Sequence, residues 1–341
     1  MSAPCLALSI GDPAGIGPEI ALRAAAMLQE RLSAGTFSLA LVGDAGTLAA
    51  TAAALSLPLP PRAGTAGRTG AFIVPTPPPA GRIETGRISA AAGEQAYLAV
   101  AEAVRMAMAG EAVGIVTGPI SKEALHLAGH SFAGHTELLA ALTGAPDSAM
   151  LLAHGAFRVS HVTTHCALED VPRRATAQRI RRVVTLTDAT LRVMGLAQPR
   201  IAIAALNPHC GEGGLFGRHD IDVTTPLVAE MRAEGFNVSG PVPGDTVFIG
   251  LRGGRYDAVV AMYHDQGHIP VKLLGFQVDP ASGKWTALSG VNVTMGLPIW
   301  RSSVDHGTAF DIAGRGIADA TSLVEAIDMG LQLARGRSTP G

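Results

Sequence analysis

Short apolar runs alternate along the chain with Ala- and Leu-rich stretches of helical spacing. That alternation predicts a mostly parallel sheet covered by helices, an α/β fold. CLALSIG (5–11) reads as a buried strand, and DPAGIGPEIALRAAAMLQERL (12–32) turns into a helix with Pro18 near its first turn. Further strands are expected at FSLALVGD (37–44), AVGIVTGP (112–119), RVSHVTTHCAL (158–168), RIAIAALNPH (200–209) and YDAVVAMYHD (256–265). Helices are expected at 93–110, closed by Gly110, and at 175–195, 224–236 and 319–336. Residues 56–95 are rich in Pro, Gly and Ala and read as a loop-heavy connection with one strand around Phe72–Val74, and the tail RGRSTPG reads as frayed.

The polar, Gly- and His-containing stretches GDPAGIGPE, TGPISKE, TTH, NPHCGEGG and YHDQGH fall just after expected strands. Open α/β sheets collect ligands at the carboxyl ends of their strands, so these loops are expected to converge there.

Composition narrows the class. Of 341 residues 48% are hydrophobic and 16% charged, the balance of a globular protein large enough for two domains. A formal charge of -2 and an aromatic content of 4% argue against nucleic acid as a partner. No apolar run approaches the roughly 20 residues that cross a bilayer, so no membrane role is expected. The first ten residues lack a basic start. Cys5, Cys166 and Cys210 have no CxxC spacing and fit a reducing cytoplasm.

Three groups of residues carry candidate chemistry. The loop Gly11–Glu19 joins a strand to a helix. A tight turn is its plainer reading and an anion facing its N–H groups the alternative; it is not G-x-G-x-x-G, and that fingerprint occurs nowhere in the chain. His165, His209 and His264 sit at or beyond strand ends, where three neutral imidazoles with open positions suit a catalytic divalent metal. Asp265 would orient a ligand. Alternation puts His161 on the strand face of His165, as a core histidine or a partner behind the ligands. Gly267 and Pro270 argue against a helix that would align His268 with His264. The third group is Lys272, Asn292 and Arg301, with His135 and Thr136 at the start of HTELLAALTG. An Arg fork, a Lys charge and a helix N-terminus are the parts of a phosphate site.

In order, GDPAGIGPE, TGPISKEALHLAG, GHTELLA, HVTTH, LNPHCGEGGLFG, GPVPGDTVF, AMYHDQGHIPVK and GVNVTMGLPIWRSSVDHGTAFDIAGRG resemble the 4-hydroxythreonine-4-phosphate dehydrogenase family over residues 11–316. The resemblance implies a two-domain fold like those of isocitrate and isopropylmalate dehydrogenases, with 1–128 plus 301–341 as a first domain and 129–300 as a central domain carrying metal and dimer contacts. It implies NAD or NADP as cofactor, bound without a Rossmann turn, and an obligate homodimer with shared active sites. The implied metal ligands are His165, His209 and His264, for Zn, Co, Mn or Mg. The implied substrate groups are His135, Thr136, Lys272, Asn292 and Arg301. Asp245, Asp265 and Lys122 are candidate acceptors of the hydroxyl proton.

The implied reaction oxidises 4-phosphohydroxy-L-threonine, whose β-keto acid loses CO2 to give 3-amino-2-oxopropyl phosphate for pyridoxal phosphate synthesis. QVDPASGKWTALS (277–289) departs from that biosynthetic pattern as an insertion between Lys272 and Asn292. KEALHLAGH and HDQGHIPVKLLGF resemble the paralogues that oxidise 4-phospho-D-threonate or 4-phospho-D-erythronate. A third branch oxidises aromatic dihydrodiol carboxylates; His135, Thr136 and Arg301 favour a phosphorylated substrate over it. A phosphate acyltransferase of related architecture is the alternative from another class, and it has no use for three metal histidines.

Overall fold

The computed structural model describes residues 3–63, 69–145, 147–281 and 285–337, with the side chains of 285–288 and 337 left out. The end of the tail (338–341) and residues 282–284 of the 277–289 insertion lie outside the described residues. The strands are β1 (Cys5–Ser9), β2 (Ser38–Gly43), β3 (Ala71–Pro75), β4 (Gly114–Thr117), β5 (Ala149–His154), β6 (Phe157–His161), β7 (Ile201–Ala204), β8 (Val238–Val242), β9 (Ala258–Ala261), β10 (Phe276–Val278), β11 (Trp285–Leu288), β12 (Val291–Met295) and β13 (Arg301–Val304). The helices are α1 (Gly17–Met27), α2 (Gln29–Ser33), α3 (Ala45–Leu55), α4 (Ala90–Met108), α5 (Lys122–Leu127), α6 (His135–Thr143), α7 (Val171–Arg174), α8 (Ala177–Val193), α9 (Thr225–Ala233), α10 (Gly244–Arg252), α11 (His264–Gly275) and α12 (Thr321–Arg337).

The chain forms two compact units, Met1–Ser148 with Leu297–Ala334, and Ala149–Gly296 with Arg335–Gly341. In the first, strands run in the order β3-β2-β1-β4-β13 and every pair is parallel. All six residues of SLALVG in β2 are buried, as expected of a strand covered on both faces. Its core joins Ala40, Val42 and Phe72 to Val100 and Val104 of α4 and to Leu138 and Leu139 of α6, so residues 135–143 pack with this unit. In the second unit the order is β12-β5-β6-β9-β7-β8. The pairs β12/β5 and β5/β6 are antiparallel and the rest parallel. The hairpin β10–β11 stands apart and begins in the 277–289 insertion's flank. Among the described residues no helix is long and apolar enough to cross a membrane.

Two expectations are corrected. The strand read through 158–168 stops at His161, so His165 lies in the following loop rather than on a face shared with His161. There the Thr163 amide and hydroxyl both take the Met262 carbonyl, at 3.2 and 2.8 Å, which ends the ladder. The helix doubted at His264–His268 is α11, and Pro270 lies inside it. Its start is clamped by Gln266, which accepts from the Met262 amide at 2.6 Å and donates to the Ala205 carbonyl at 2.7 Å. Tertiary anchoring overrides the local penalty of the proline.

Gly93 shows how tightly the first unit is packed. A Cβ there would lie 1.9 Å from the Ala124 carbonyl oxygen of α5. Gly→Ala inside an exposed helix gains about 1 kcal/mol. Here the backbone contact reverses the sign, and Gly93→Ala is expected to destabilise by about 2 kcal/mol or more. Urea unfolding with an unchanged or raised midpoint would contradict this packing.

Candidate active site

Each unit has a point where its strand order reverses direction. In the first it lies between β1 and β4, and in the second between β7 and β9. Loops leaving the carboxyl ends of strands at such points form ligand crevices.

In the second unit the loops after β7, β8 and β9 line a cavity of about 530 Å³ that includes Asn207, His209, Asp245, Tyr263, Asp265 and Gln266. Asp245 sits in the first turn of α10, and His264 and Asp265 open α11. The rings of His165 and His264 are 5.7 Å apart and tilted by 40°. Two imidazoles sharing a divalent ion at about 2.1 Å hold their centroids about 5–6 Å apart. The Asp265 carboxylate accepts the His264 Nδ1–H at 2.7 Å, which leaves the Nε2 lone pair of His264 for an ion. These two histidines therefore fit a divalent metal. His209 lines the same cavity as Asp265; among the described residues no group of three or more His, Cys, Asp or Glu side chains is arranged to hold an ion. Two imidazoles pack behind His264. His268 stacks on it with centroids 3.6 Å apart, and His161 follows at 4.6 Å from His268. Burial above all holds the pKa of His268 down to about 4, with the charge of His264 adding to the effect.

His209 stands on an unusual backbone. From His209 to Gly214 every φ is positive, including 51° at His209, 55° at Cys210 and 43° at Glu212. Each left-handed non-glycine residue costs roughly 1–2 kcal/mol. The loop is held from behind by Asp220, which is fully buried and accepts from the amides of Leu206 and Asn207 at 2.8 and 2.9 Å and from Asn207 Nδ2 at 3.0 Å. Lys272, in the last turn of α11, places its ammonium 4.6 Å from the ring centre of Phe276. Asn292 on β12 donates to Met150 Sδ at 2.9 Å, and its Oδ1 is buried without a hydrogen-bond partner.

In the first unit the Arg301 side chain runs from the start of β13 to Thr117 at the carboxyl end of β4. Arg301, 2% exposed, donates from Nε and Nη2 to the Thr117 hydroxyl at 3.2 and 2.7 Å. Burial lowers its pKa to about 9. His135 and Thr136 are the first two residues of α6. Burial, then the charge of Arg301, hold the His135 imidazole neutral, well below its ordinary value. Its Nε2 is buried with no partner. Lys122 opens α5, and its Cε lies 3.8 Å from where a Cβ on Gly134 would stand. The structure thus brings His135 and Arg301 together, with Lys122 close to the residue that precedes His135.

A cavity of this unit, about 440 Å³, is lined by Pro13, Gly15, Glu19, Thr47, Thr85 and Gly314 among others. Glu19 is 1% exposed; one carboxylate oxygen is held by Arg23 and the Ala318 amide, and the other is buried without a partner. Buried acids were not singled out from the sequence, because Asp12 and Glu19 look like ordinary loop and first-turn residues there. The signal available was their place in a Gly- and Pro-rich turn directly after a strand.

The fold and these strand-end groups define an α/β enzyme. The chain belongs to the PdxA family: the model of the pyridoxal phosphate biosynthetic protein PdxA matches residues 35–330. A Bradyrhizobium diazoefficiens protein provisionally named D-threonate 4-phosphate dehydrogenase is 55% identical over 341 residues, covering 99% of either chain. The D-threonate 4-phosphate dehydrogenase of Salmonella typhimurium is 42% identical, over 98% of this chain and 100% of that one. The solved 4-hydroxythreonine-4-phosphate dehydrogenase from Klebsiella pneumoniae superposes with a TM-score of 0.81 at 41% identity, covering 98% of this chain and 99% of that one.

Asp12 gives a pH test of the first unit's crevice. One of its carboxylate oxygens accepts from the Ala14 amide at 2.9 Å and the other is buried without a partner. Burial raises its pKa from 3.8 to about 6. A raised acid pKa means that the folded state binds the proton more tightly than the unfolded one. This group's contribution therefore favours folding below about pH 4 and is lost as pH rises through about 6. Asp12→Asn is expected to stabilise the protein by about 1–2 kcal/mol at pH 8, a gain that shrinks toward pH 4. Urea midpoints of the two proteins that differ equally at both pH values would refute the assignment.

Proposed function

We propose that the chain is a metal-requiring, NAD(P)-linked dehydrogenase that oxidises the secondary alcohol of a 4-phosphorylated hydroxy acid, with D-threonate 4-phosphate as its substrate. The observation that carries the reading is Arg301, a buried guanidinium beside His135 at the head of α6. Such a fork at a helix N-terminus suits a phosphate. The 55% identical relative's name favours D-threonate 4-phosphate over the hydroxythreonine substrate that the sequence put first. 4-Phosphohydroxy-L-threonine is the second reading, favoured by the family's name and by that of the Klebsiella pneumoniae structure. The two acids differ only at C2, which bears a hydroxyl in one and an ammonium in the other.

In this reading Arg301, His135 and Thr136 bind the phosphate, with Lys122 adding positive charge on the same side. A phosphate dianion beside His135 would draw its pKa back up. Lys272 and Asn292 hold the remainder of the acid, the buried Asn292 Oδ1 being an acceptor in want of a donor. His165, His264 and His209 would hold the metal, which supplies Lewis acidity toward the hydroxyl when bound. Asp265 is committed to His264 and so orients it. Asp245, in the cavity with His209, is left to accept the hydroxyl proton; a bound nicotinamide would supply the hydride acceptor. The cavity lined by Gly15, Glu19 and Thr47 would hold part of that dinucleotide.

Exposed apolar side chains of the second unit, among them Leu215 at 75% and Leu273 at 76%, are taken here to be covered by a second copy in a homodimer. The three free cysteines suit a cytoplasmic protein.

Reduction of NAD and NADP should be followed on D-threonate 4-phosphate, D-erythronate 4-phosphate and 4-phosphohydroxy-L-threonine, with and without chelator. Chelator-sensitive turnover fastest on D-threonate 4-phosphate is expected; preference for the amino acid would select the second reading. No turnover of any phosphorylated acid would sink both. Asp245→Asn is expected to lower kcat by about 100-fold or more with little change in KM. Arg301→Lys should instead act mainly on KM, raising it by about 10- to 100-fold. A kcat for Asp245→Asn within a few-fold of the parent would exclude that residue as the proton acceptor.

A further inference from the structure

Two of the rings packed behind the second unit's cavity, those of His268 and His161, have no part in the reaction described above. We propose that His268 is a positioning residue that fixes the ring of His264, its own ring being seated against His161. The proposal rests on the reading of His264 as a metal ligand for its consequence, and on geometry alone for its substance.

His264 is the first residue of α11, where the backbone lacks the hydrogen bonds of an interior turn. Its Nδ1–H partner, Asp265, has a side chain 71% exposed, and an acceptor in water is a weak restraint on a ring. His268, one turn later, supplies the restraint. The two rings are nearly parallel, 11° apart, with centroids 3.6 Å apart. His268 cannot itself turn freely, because its Nδ1–H donates to the His264 carbonyl at 3.0 Å. On its other side lies His161, tilted by 50° at 4.6 Å.

His161 is fully buried on β6 and both its ring nitrogens lack a completed hydrogen bond; the Met150 backbone lies close, outside hydrogen-bond geometry. A leucine would fill that space without burying two unsatisfied polar atoms. An imidazole kept there at such a cost points to a role other than filling. Room for it is made by Gly267: a Cβ at that position would lie 2.3 Å from His161 Nε2 and 2.8 Å from Val159 Cγ1. The absent side chain lets α11 lie close enough to β6 for the ring of His268 to rest against that of His161.

Two substitutions separate the parts of the restraint. His268→Phe keeps a ring on His264 and loses the hydrogen bond, whereas His268→Gln can keep the hydrogen bond and loses the ring. Far-UV circular dichroism establishes that each is folded. Long-range 1H–15N spectra of histidine-labelled, metal-free protein then report the His264 ring, assigned by its loss in His264→Gln. A single Nδ1–H tautomer is expected in the parent and in His268→Phe, and averaged nitrogen shifts in His268→Gln.

Titration with Co2+ should show affinity weakened about 10- to 100-fold in His268→Gln and within about 3-fold of the parent in His268→Phe. An unchanged His264 tautomer pattern in His268→Gln would overturn the proposal, as would equal loss of order in both variants. If the parent binds no Co2+, the metal reading falls, and the tautomer pattern still decides the role of His268.

Discussion

The constraint on which this molecule depends is that its central strands are buried on both faces. Leu6, Ala7 and Leu8 of β1, Leu39 to Val42 of β2, and Ala258 to Ala261 of β9 are fully buried, and Ile201 to Ala204 of β7 nearly so. A strand walled in on both sides has almost no room for unpaired polar chemistry, because each buried polar atom needs a partner. Several of the polar groups the strands do hold lie at their ends: Ser9 and Thr117 close β1 and β4, and Arg301 opens β13. Much of what can meet a charged substrate, His165, His209, His264 and Asp245 among it, is displaced into loops and first helical turns that follow the strands. Parallel pairing within each unit then gathers those loops on one edge. Polar function is placed by exclusion from the core as much as by attraction between the residues that carry it.

That exclusion is also what made part of the molecule legible in its sequence. The runs CLALS, SLALVG, GIVT, IAIA and AVVA stand out because a doubly buried strand is apolar without alternation, and each was read as a strand. Among the strands that escaped notice, β8, β12 and β13 break that pattern. The four residues of β13, RSSV, begin with the guanidinium that makes the anion site, and β12 carries Asn292. Polar side chains at these positions disguise the strand for the reason that makes them interesting. The helix at His264 was obscured by Pro270, since no local rule contains the Gln266 clamp between residues 205 and 262. Asp12 and Glu19 were hidden differently. Their burial is created by loops from residues 118–119 and 306–318, far along the chain, and no window of sequence contains it.

The loop carrying His209 joins these two lessons. Glycine at 211, 213, 214 and 217 marks LNPHCGEGGLFG as a place where the backbone does something a side chain resists, and at all four the φ is positive. Gly217 faces the Asn207 side chain at about 3.1 Å from where its own Cβ would be, and Gly211 faces the Gly217 carbonyl at 2.4 Å, so the loop folds back on itself without room for methyl groups. Glycine accounts for only half of the run from 209 to 214. The conformation of His209, Cys210 and Glu212 has to be imposed, and among the contacts found the imposing group is Asp220, a buried carboxylate with three N–H donors on the residues that lead into the loop. A left-handed turn of non-glycine residues, held by a buried charge beside a cavity, is strain in the part of the unit least able to relax. It places His209 on a strained loop that lines the same cavity as Asp265, the neighbour of His264. The residues that lead to His209 are fixed by the Asp220 anchor, whereas His264 is held by Asp265 and the ring of His268.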